Sequence, residues 1–166
     1  MLNFSLTSKL INFGPIILLY YLSISEIDTH FANYFEILSF NLQLIIIYFW
    51  VLKRPAVLSN GHIFFAGLIN DVVLGFPLGL SSLTYLTVSL VATYIKNMSV
   101  HTTLTSDWFT FLIALLISNF LLSVLTSNFS NITIDFQEIS YNTFFPLTFF
   151  PFFWFLFTFY NSMIKA

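Results

Sequence analysis

The chain has 166 residues, of which 58% are hydrophobic and only 7% are charged. Soluble domains carry roughly 25% charged residues, and a domain this small has too much surface for so few polar side chains to cover. The composition therefore excludes a water-soluble fold and predicts an integral membrane protein. A net charge of −2 argues against a nucleic-acid surface, and a chain without cysteine has no disulfide, thiolate metal site or cysteine nucleophile.

Six apolar segments are predicted to form transmembrane helices, since a bilayer span needs about 20 mostly apolar residues. They comprise residues 10–25, 37–52, 58–74, 78–95, 108–126 and 141–160. Several are short, which predicts that they tilt little and that some of them do not cross the membrane fully. Only short loops connect them, so we expect one all-α membrane domain over residues 1–166 and no extramembrane domain.

The charges predict the orientation of these spans. The basic residues lie before the first span, after the second, after the fourth and after the last, namely Lys9, Lys53, Arg54, Lys96 and Lys165. With six spans these places share one side, which the positive-inside rule makes cytoplasmic. The loops on the other side carry Glu26, Asp28, Glu36, Asp135 and Glu138. Both termini are therefore predicted to be cytoplasmic.

The segment GLINDVVLGFPLGLSSLTYL, residues 67–86, contains one carboxylate, Asp71, among apolar residues. A carboxylate in the hydrocarbon is expensive and needs a partner. Asp71 lies four residues before the turn Gly75-Phe76-Pro77-Leu78-Gly79, or about 6 Å along a helix, so it is near the outer end of its span. It either braces this turn by accepting hydrogen bonds from backbone N–H groups at the start of the fourth span, or it belongs to a proton or ion relay. We favour the brace, because a relay needs further acids or histidines at depth.

Small residues on the third span predict close helix packing. Gly67, Asp71 and Gly75 recur every four residues and share one helix face, where glycine lets a neighbouring backbone approach. The fourth span offers hydroxyl groups for hydrogen bonds across the interface: Ser81, Ser82, Thr84, Thr87 and Ser89. The two spans are therefore predicted to form a tight helical hairpin. Arg54 and Pro55 mark its cytoplasmic entry, as an anchor followed by a helix-stopping proline.

The remaining segments carry no pattern typical of catalysis. The last span, with FFPLTFFPFFWFLFTFY at residues 144–160, is mostly aromatic and faces either lipid or a partner helix. Pro146 and Pro151 are predicted to bend it. His30, His62 and His101 lie near span ends on different sides, so no metal site is expected. No catalytic motif or phosphate-binding loop is present. We expect a non-enzymatic protein without a cofactor.

Residues 48–95 resemble the family of the rod shape-determining protein MreD. The resemblance rests on an aromatic-rich second span that ends in a basic-Pro pair, on a G-L-x-x-D segment and on a G-x-P-L-G turn. The matching residues are Tyr48, Trp50, Arg54, Pro55, Gly67, Leu68, Asp71, Gly75, Pro77, Leu78, Gly79 and Leu80. The family often has a histidine soon after P-L-G, where this chain has Ser81 and Ser82.

This resemblance implies a multi-pass scaffold of a bacterial inner membrane, part of the machinery that directs lateral peptidoglycan synthesis and maintains rod shape. Its partners would be MreC and, through the complex, the actin-like MreB, RodA and a class B penicillin-binding protein. A small-molecule ligand is not expected. Two alternatives remain. One is a substrate-binding subunit of an energy-coupling-factor transporter, with a ligand pocket near the outer face that Trp108 or His30 would line if they folded inward. The other is an ion or proton channel.

Overall fold

Helices form over all six apolar segments. The computed structural model describes the backbone of residues 2–25, 32–98, 103–129 and 136–165, and the side chains of residues 13–25, 41–98, 103–127 and 143–163. The described backbone contains no strand and six helices: α1 (Leu2–Ile24), α2 (Ala32–Lys53), α3 (Asn60–Leu74), α4 (Leu80–Met98), α5 (Leu104–Phe129) and α6 (Phe136–Lys165). The predicted all-α class is confirmed.

Most helices extend beyond the apolar segment that predicted them. α6, for example, has 30 residues, or about 45 Å of helix. A helix continues past its apolar part because each further residue adds a backbone hydrogen bond, even where the side chains are polar. Both Pro146 and Pro151 lie inside α6, which remains one helix through them.

The centre of the bundle is α2. Every side chain from Gln43 to Leu52 is buried, which is typical of a helix that is apolar on all sides. It packs against α1, α4 and α6, while α4 also packs against α3 and α5. The aromatic rings of Tyr48, Phe49 and Trp50 are at most 1% exposed and form the heart of the core.

Length and composition support membrane crossing for part of this bundle. Among the described side chains, two helical stretches are long and apolar enough to cross a membrane, Leu104–Ser127 and Thr143–Met163, and Phe13–Ile24 and Asn41–Lys53 are shorter apolar stretches. The prediction of six spans is not supported by this measure. α3 has only 15 residues, or about 22 Å of helix against a hydrocarbon core of about 30 Å, and the hydroxyl side chains of α4 lower its hydropathy.

Several predictions from the sequence fall outside the described residues or side chains. They concern the outer acidic residues Glu26, Asp28, Glu36, Asp135 and Glu138, together with His30, His101, Lys9 and Lys165. All seven residues predicted to form the site, from Arg54 to Gly79, are described.

Candidate functional site

The side chain of Asp71 joins the end of α3 to the start of α4. It is fully buried, and each of its carboxylate oxygens accepts a backbone hydrogen bond: Oδ2 from the N–H of Gly79 at 2.7 Å and Oδ1 from the N–H of Ser81 at 2.8 Å. Gly79 accepts the first backbone bond of α4, from Leu83, so it occupies the N-cap position but has no side chain to cap with. Asp71 therefore supplies the cap from the neighbouring helix, where the helix dipole favours an anion. These are the backbone bonds that the bracing interpretation predicted.

The backbone of Asp71 takes part in the C-terminal cap of α3. Its carbonyl oxygen accepts the N–H of Gly75 and, at 2.9 Å, the N–H of Phe76, the pattern of a glycine-terminated helix. Gly75 has φ 68° and Gly79 has φ 101°, which side-chain-bearing residues rarely adopt. A Cβ on Gly79 would have no atom within 4 Å. Glycine is thus required there by backbone conformation, and the crowding expected of a tight turn is absent.

The close contact between the two helices lies at Gly67 instead. A Cβ on Gly67 would be 2.5 Å from Cα and 2.6 Å from N of Ser82, which leaves room for hydrogen alone. The Ser82 hydroxyl donates to the carbonyl of Phe64 at 3.0 Å. Two further bonds cross the interface, from the Asn70 amide to Ser81 Oγ at 3.2 Å and from Ser89 Oγ to Asn60 Oδ1 at 2.8 Å. Close backbone approach and crossing hydroxyl bonds make α3 and α4 a tight hairpin.

The basic-Pro pair lies at the opposite end of α3. α2 ends at Lys53, and the N–H of Arg54 still donates to the carbonyl of Trp50 at 2.7 Å. Pro55 then lies in a turn in which Val57 N–H donates to the Arg54 carbonyl at 3.0 Å. The helix stops two residues before the proline because proline disfavours helical geometry in the residue that precedes it. The structure thus brings Gly67, Asp71, Gly75, Pro77 and Gly79 together in the hairpin and separates Arg54 and Pro55 from its tip.

A second buried carboxylate, Asp107, joins three helices and was not predicted as a site. Asp107 Oδ2 accepts a hydrogen bond from Lys53 Nζ at 2.8 Å and another from Trp154 Nε1 at 2.9 Å. Lys53 Nζ also lies 5.8 Å from the centroid of the Trp154 ring, within the range of a cation–π contact. The sequence does carry a signal for it. Asp107 lies next to a loop on the side predicted to be basic, whereas the other acidic loop residues fall on the opposite predicted side. The end of the bundle that holds Lys53, Arg54 and Lys96 is called the basic end below, and the Gly75–Gly79 end is called the turn end.

An aromatic layer continues this cluster into the core. The hydroxyl groups of Tyr48 and Thr110 are 2.5 Å apart and share a hydrogen bond. The rings of Phe111 and Phe150 stack with centroids 4.5 Å apart, and Tyr48 lies 5.0 Å from Phe111. These spacings are typical of favourable aromatic pairs. Side chains of α2, α5 and α6 therefore meet twice, first in the Asp107 cluster and then in this aromatic layer.

Trp108 satisfies a backbone group that a proline leaves free. Pro151 has no N–H, so the carbonyl of Leu147, four residues earlier in α6, has no donor within its own helix. Trp108 Nε1 donates to this carbonyl at 2.9 Å. Trp108 therefore holds α5 to α6, and this bond explains how proline is tolerated inside an apolar helix.

The described residues contain no group of three or more histidine, aspartate or glutamate side chains that could hold a metal ion. Both buried carboxylates receive two hydrogen bonds each, Asp71 from backbone N–H groups and Asp107 from Lys53 and Trp154. This arrangement stabilises the contacts between the helices.

Comparison of the chain with models of protein families, with curated proteins and with solved structures found no match.

Proposed function

We propose that the chain is a non-enzymatic scaffold of a bacterial inner membrane that serves the rod elongation machinery, as its resemblance to the MreD family implies. The observation that carries the proposal is the braced hairpin. Five residues of the resemblance lie in it, Gly67, Asp71, Gly75, Pro77 and Gly79. Asp71 caps α4, Gly67 allows α4 to approach α3 closely, and the two turn glycines adopt positive φ. A scaffold needs such a rigid joint because partner spans bind to a surface of defined shape.

The surface of the bundle supports a membrane location. Large apolar side chains are exposed on most helices, for example Leu90 at 64%, Phe120 at 73% and Phe152 at 63%. Helices of a soluble bundle would carry polar residues at such positions. We propose that all six helices lie in the bilayer, with the shorter α3 and α4 inserted as a pair and with the basic end in the cytoplasm.

The turn end is the part of the hairpin that we assign to a partner. Phe76, Pro77 and Leu78 lie between two glycines of fixed conformation, and Leu78 is 72% exposed. An apolar tip on a rigid support is typical of a protein contact. MreC is the partner that the resemblance implies, and through it MreB, RodA and a class B penicillin-binding protein.

The proposal is tested by depleting the protein in its host and measuring cell shape by microscopy. We expect rods to become round and to recover when the wild-type gene is restored. Leu78→Ala is expected to reach a normal protein level but to recover shape poorly and to retain less MreC on co-purification. Leu90→Ala, which shortens a similarly exposed leucine on α4, is the matched control and should behave as wild type.

Cells that keep their shape on depletion would contradict the scaffold function. Cells that round up but are rescued equally by both leucine variants would support the scaffold and exclude the turn end as the partner surface.

A second candidate function is a substrate-binding subunit of an energy-coupling-factor transporter. The observation that favours it is a set of buried amide atoms away from the basic end. Among the described side chains, both amide atoms of Asn41, Gln43 Oε1, Asn70 Oδ1 and Asn119 Oδ1 make no hydrogen bond. Buried amides normally have partners, and a polar small molecule would provide them. Mass spectrometry of small molecules extracted from the purified protein tests this function, and a preparation free of stoichiometric ligand would argue against it.

A further inference from the structure

A cavity of about 720 Å³ opens at the basic end, between α1, the turn that follows α2, and the adjoining ends of α3 and α4. It is separate from the hairpin tip and from the Asp107 cluster, and the scaffold function makes no use of it. Its volume is that of a site for a small molecule or a lipid headgroup.

The polar part of the cavity is basic. Arg54 and Lys96 line it from two different helix ends, and His62 lies between them in sequence on α3. The Tyr20 hydroxyl lies 3.4 Å from His62 Nδ1 and orients this ring from α1. None of the described residues that line the cavity is acidic, so its walls attract an anion.

The other walls are apolar. Phe13 and Ile16 of α1 line one side, and Val57 lies in the turn opposite. Phe13 is 55% exposed, so the apolar wall continues onto the outer surface of the bundle. A cavity that is basic at one side and continuous with an apolar surface at the other suits a molecule with an anionic head and an apolar tail.

We propose that this cavity binds the headgroup of an acidic phospholipid from the leaflet at the basic end. Arg54 and Lys96 pair with the phosphodiester, and the acyl chains lie along Phe13 and Ile16. The inference rests on the membrane location proposed above, because only a protein in the bilayer meets such a lipid. A bound acidic lipid would fill the cavity between α1, α3 and α4 and so hold α1 against the other two helices.

The test is a binding measurement on the full-length protein in mild detergent. Protein washed free of lipid is titrated with phosphatidylglycerol, phosphatidylcholine or inorganic phosphate, and bound molecules are counted by native mass spectrometry. We expect one phosphatidylglycerol to bind at least about tenfold more tightly than phosphatidylcholine, because each basic side chain near the headgroup contributes about a fivefold preference for an acidic lipid.

Three variants locate the site. Lys96→Gln, at an exposed position, is expected to weaken phosphatidylglycerol binding about fivefold, whereas Lys96→Arg keeps the charge and should bind as wild type. Ala56→Trp leaves every charge in place but fills the cavity that Ala56 lines. It should abolish the tight binding of phosphatidylglycerol. Equal affinity for the two lipids, or undiminished binding in Lys96→Gln and Ala56→Trp, would overturn the proposal. Displacement of phosphatidylglycerol by inorganic phosphate at equal concentration would also overturn it, in favour of a free anion site.

A carbonate wash of membranes separates this result from the proposed function. Protein that is released by the wash does not lie in the bilayer, and both proposals then fail. If the protein stays in the membrane but shows no lipid preference, only the proposed lipid site is contradicted. If depletion does not change cell shape, only the proposed scaffold function is contradicted, and the lipid measurement remains valid.

Discussion

Replacement of Gly67 by alanine is the sharpest test of the hairpin. The added Cβ would lie 2.5 Å from Ser82 Cα, whereas non-bonded carbon atoms prefer about 3.5–4.0 Å. The nearest atoms are backbone, so no side-chain rotation relieves the clash, and α3 and α4 must separate by about 1 Å. That shift would stretch the bond between Ser82 Oγ and the Phe64 carbonyl beyond its present 3.0 Å.

The cost of this change follows from its parts. Overpacking costs about 1–3 kcal/mol, and each hydrogen bond lost across the interface adds about 1 kcal/mol. Alanine returns about 1 kcal/mol because it favours helix over glycine. We expect Gly67→Ala to lower the free energy of unfolding by about 1–3 kcal/mol, because the lost hydrogen bond and the gain in helix propensity nearly cancel.

The assay is thermal unfolding of purified protein in detergent, with Gly61→Ala as the matched control. Gly61 lies in the same helix, is exposed and has only Ser59 Oγ near its Cβ position, at 3.9 Å. The control should raise the melting temperature slightly, while Gly67→Ala should lower it by roughly 2–12 °C, at about 2–4 °C per kcal/mol for a chain of this size. Equal melting temperatures for the two variants would refute the close approach of α3 and α4.

Three further predictions concern the carboxylates and the turn. Asp71→Asn should destabilise the protein by about 1–3 kcal/mol, because both oxygens accept from N–H groups and an amide can replace only one of them. Asp71→Leu should be worse, and equal melting temperatures for the two variants would contradict the brace. Gly79→Ala should cost about 1–3 kcal/mol through its φ of 101°, although space around it is open; an unchanged melting temperature would contradict the strain. Asp107→Asn should cost about 1–3 kcal/mol, and adding Lys53→Gln should recover part of that loss, because it removes the ammonium group that has lost its carboxylate. A double variant with the full sum of both losses would exclude the ion pair.

The sequence was sufficient for features that are local along the chain. Asp71 and the N–H groups it binds lie within ten residues, on either side of one turn. Glycines in a short turn indicate positive φ angles. Asp71, as the lone acid beside this turn, has few hydrogen-bond donors within reach except the backbone N–H groups at the start of α4. The approximate positions of the helices were also predictable from the apolar segments, although most helices extend beyond the segment boundaries. The expectation of about six spans went further than helix length and composition support, since only two described helical stretches are long and apolar enough to cross a membrane and α3 is only 15 residues long.

The contacts between distant helices required the tertiary structure. Lys53 and Asp107 are 54 residues apart, and Trp108 and Leu147 are 39 apart. The helices are apolar on nearly every side, so their sequences do not indicate which face turns inward or which helix lies next to it. Only packing decided that α2 is enclosed, that Asp107 meets Lys53 and Trp154, and that a basic cavity remains beside α1. The physical reason is that backbone caps and turns act over a few residues, whereas the order of helices in a bundle depends on the fit of all their surfaces at once.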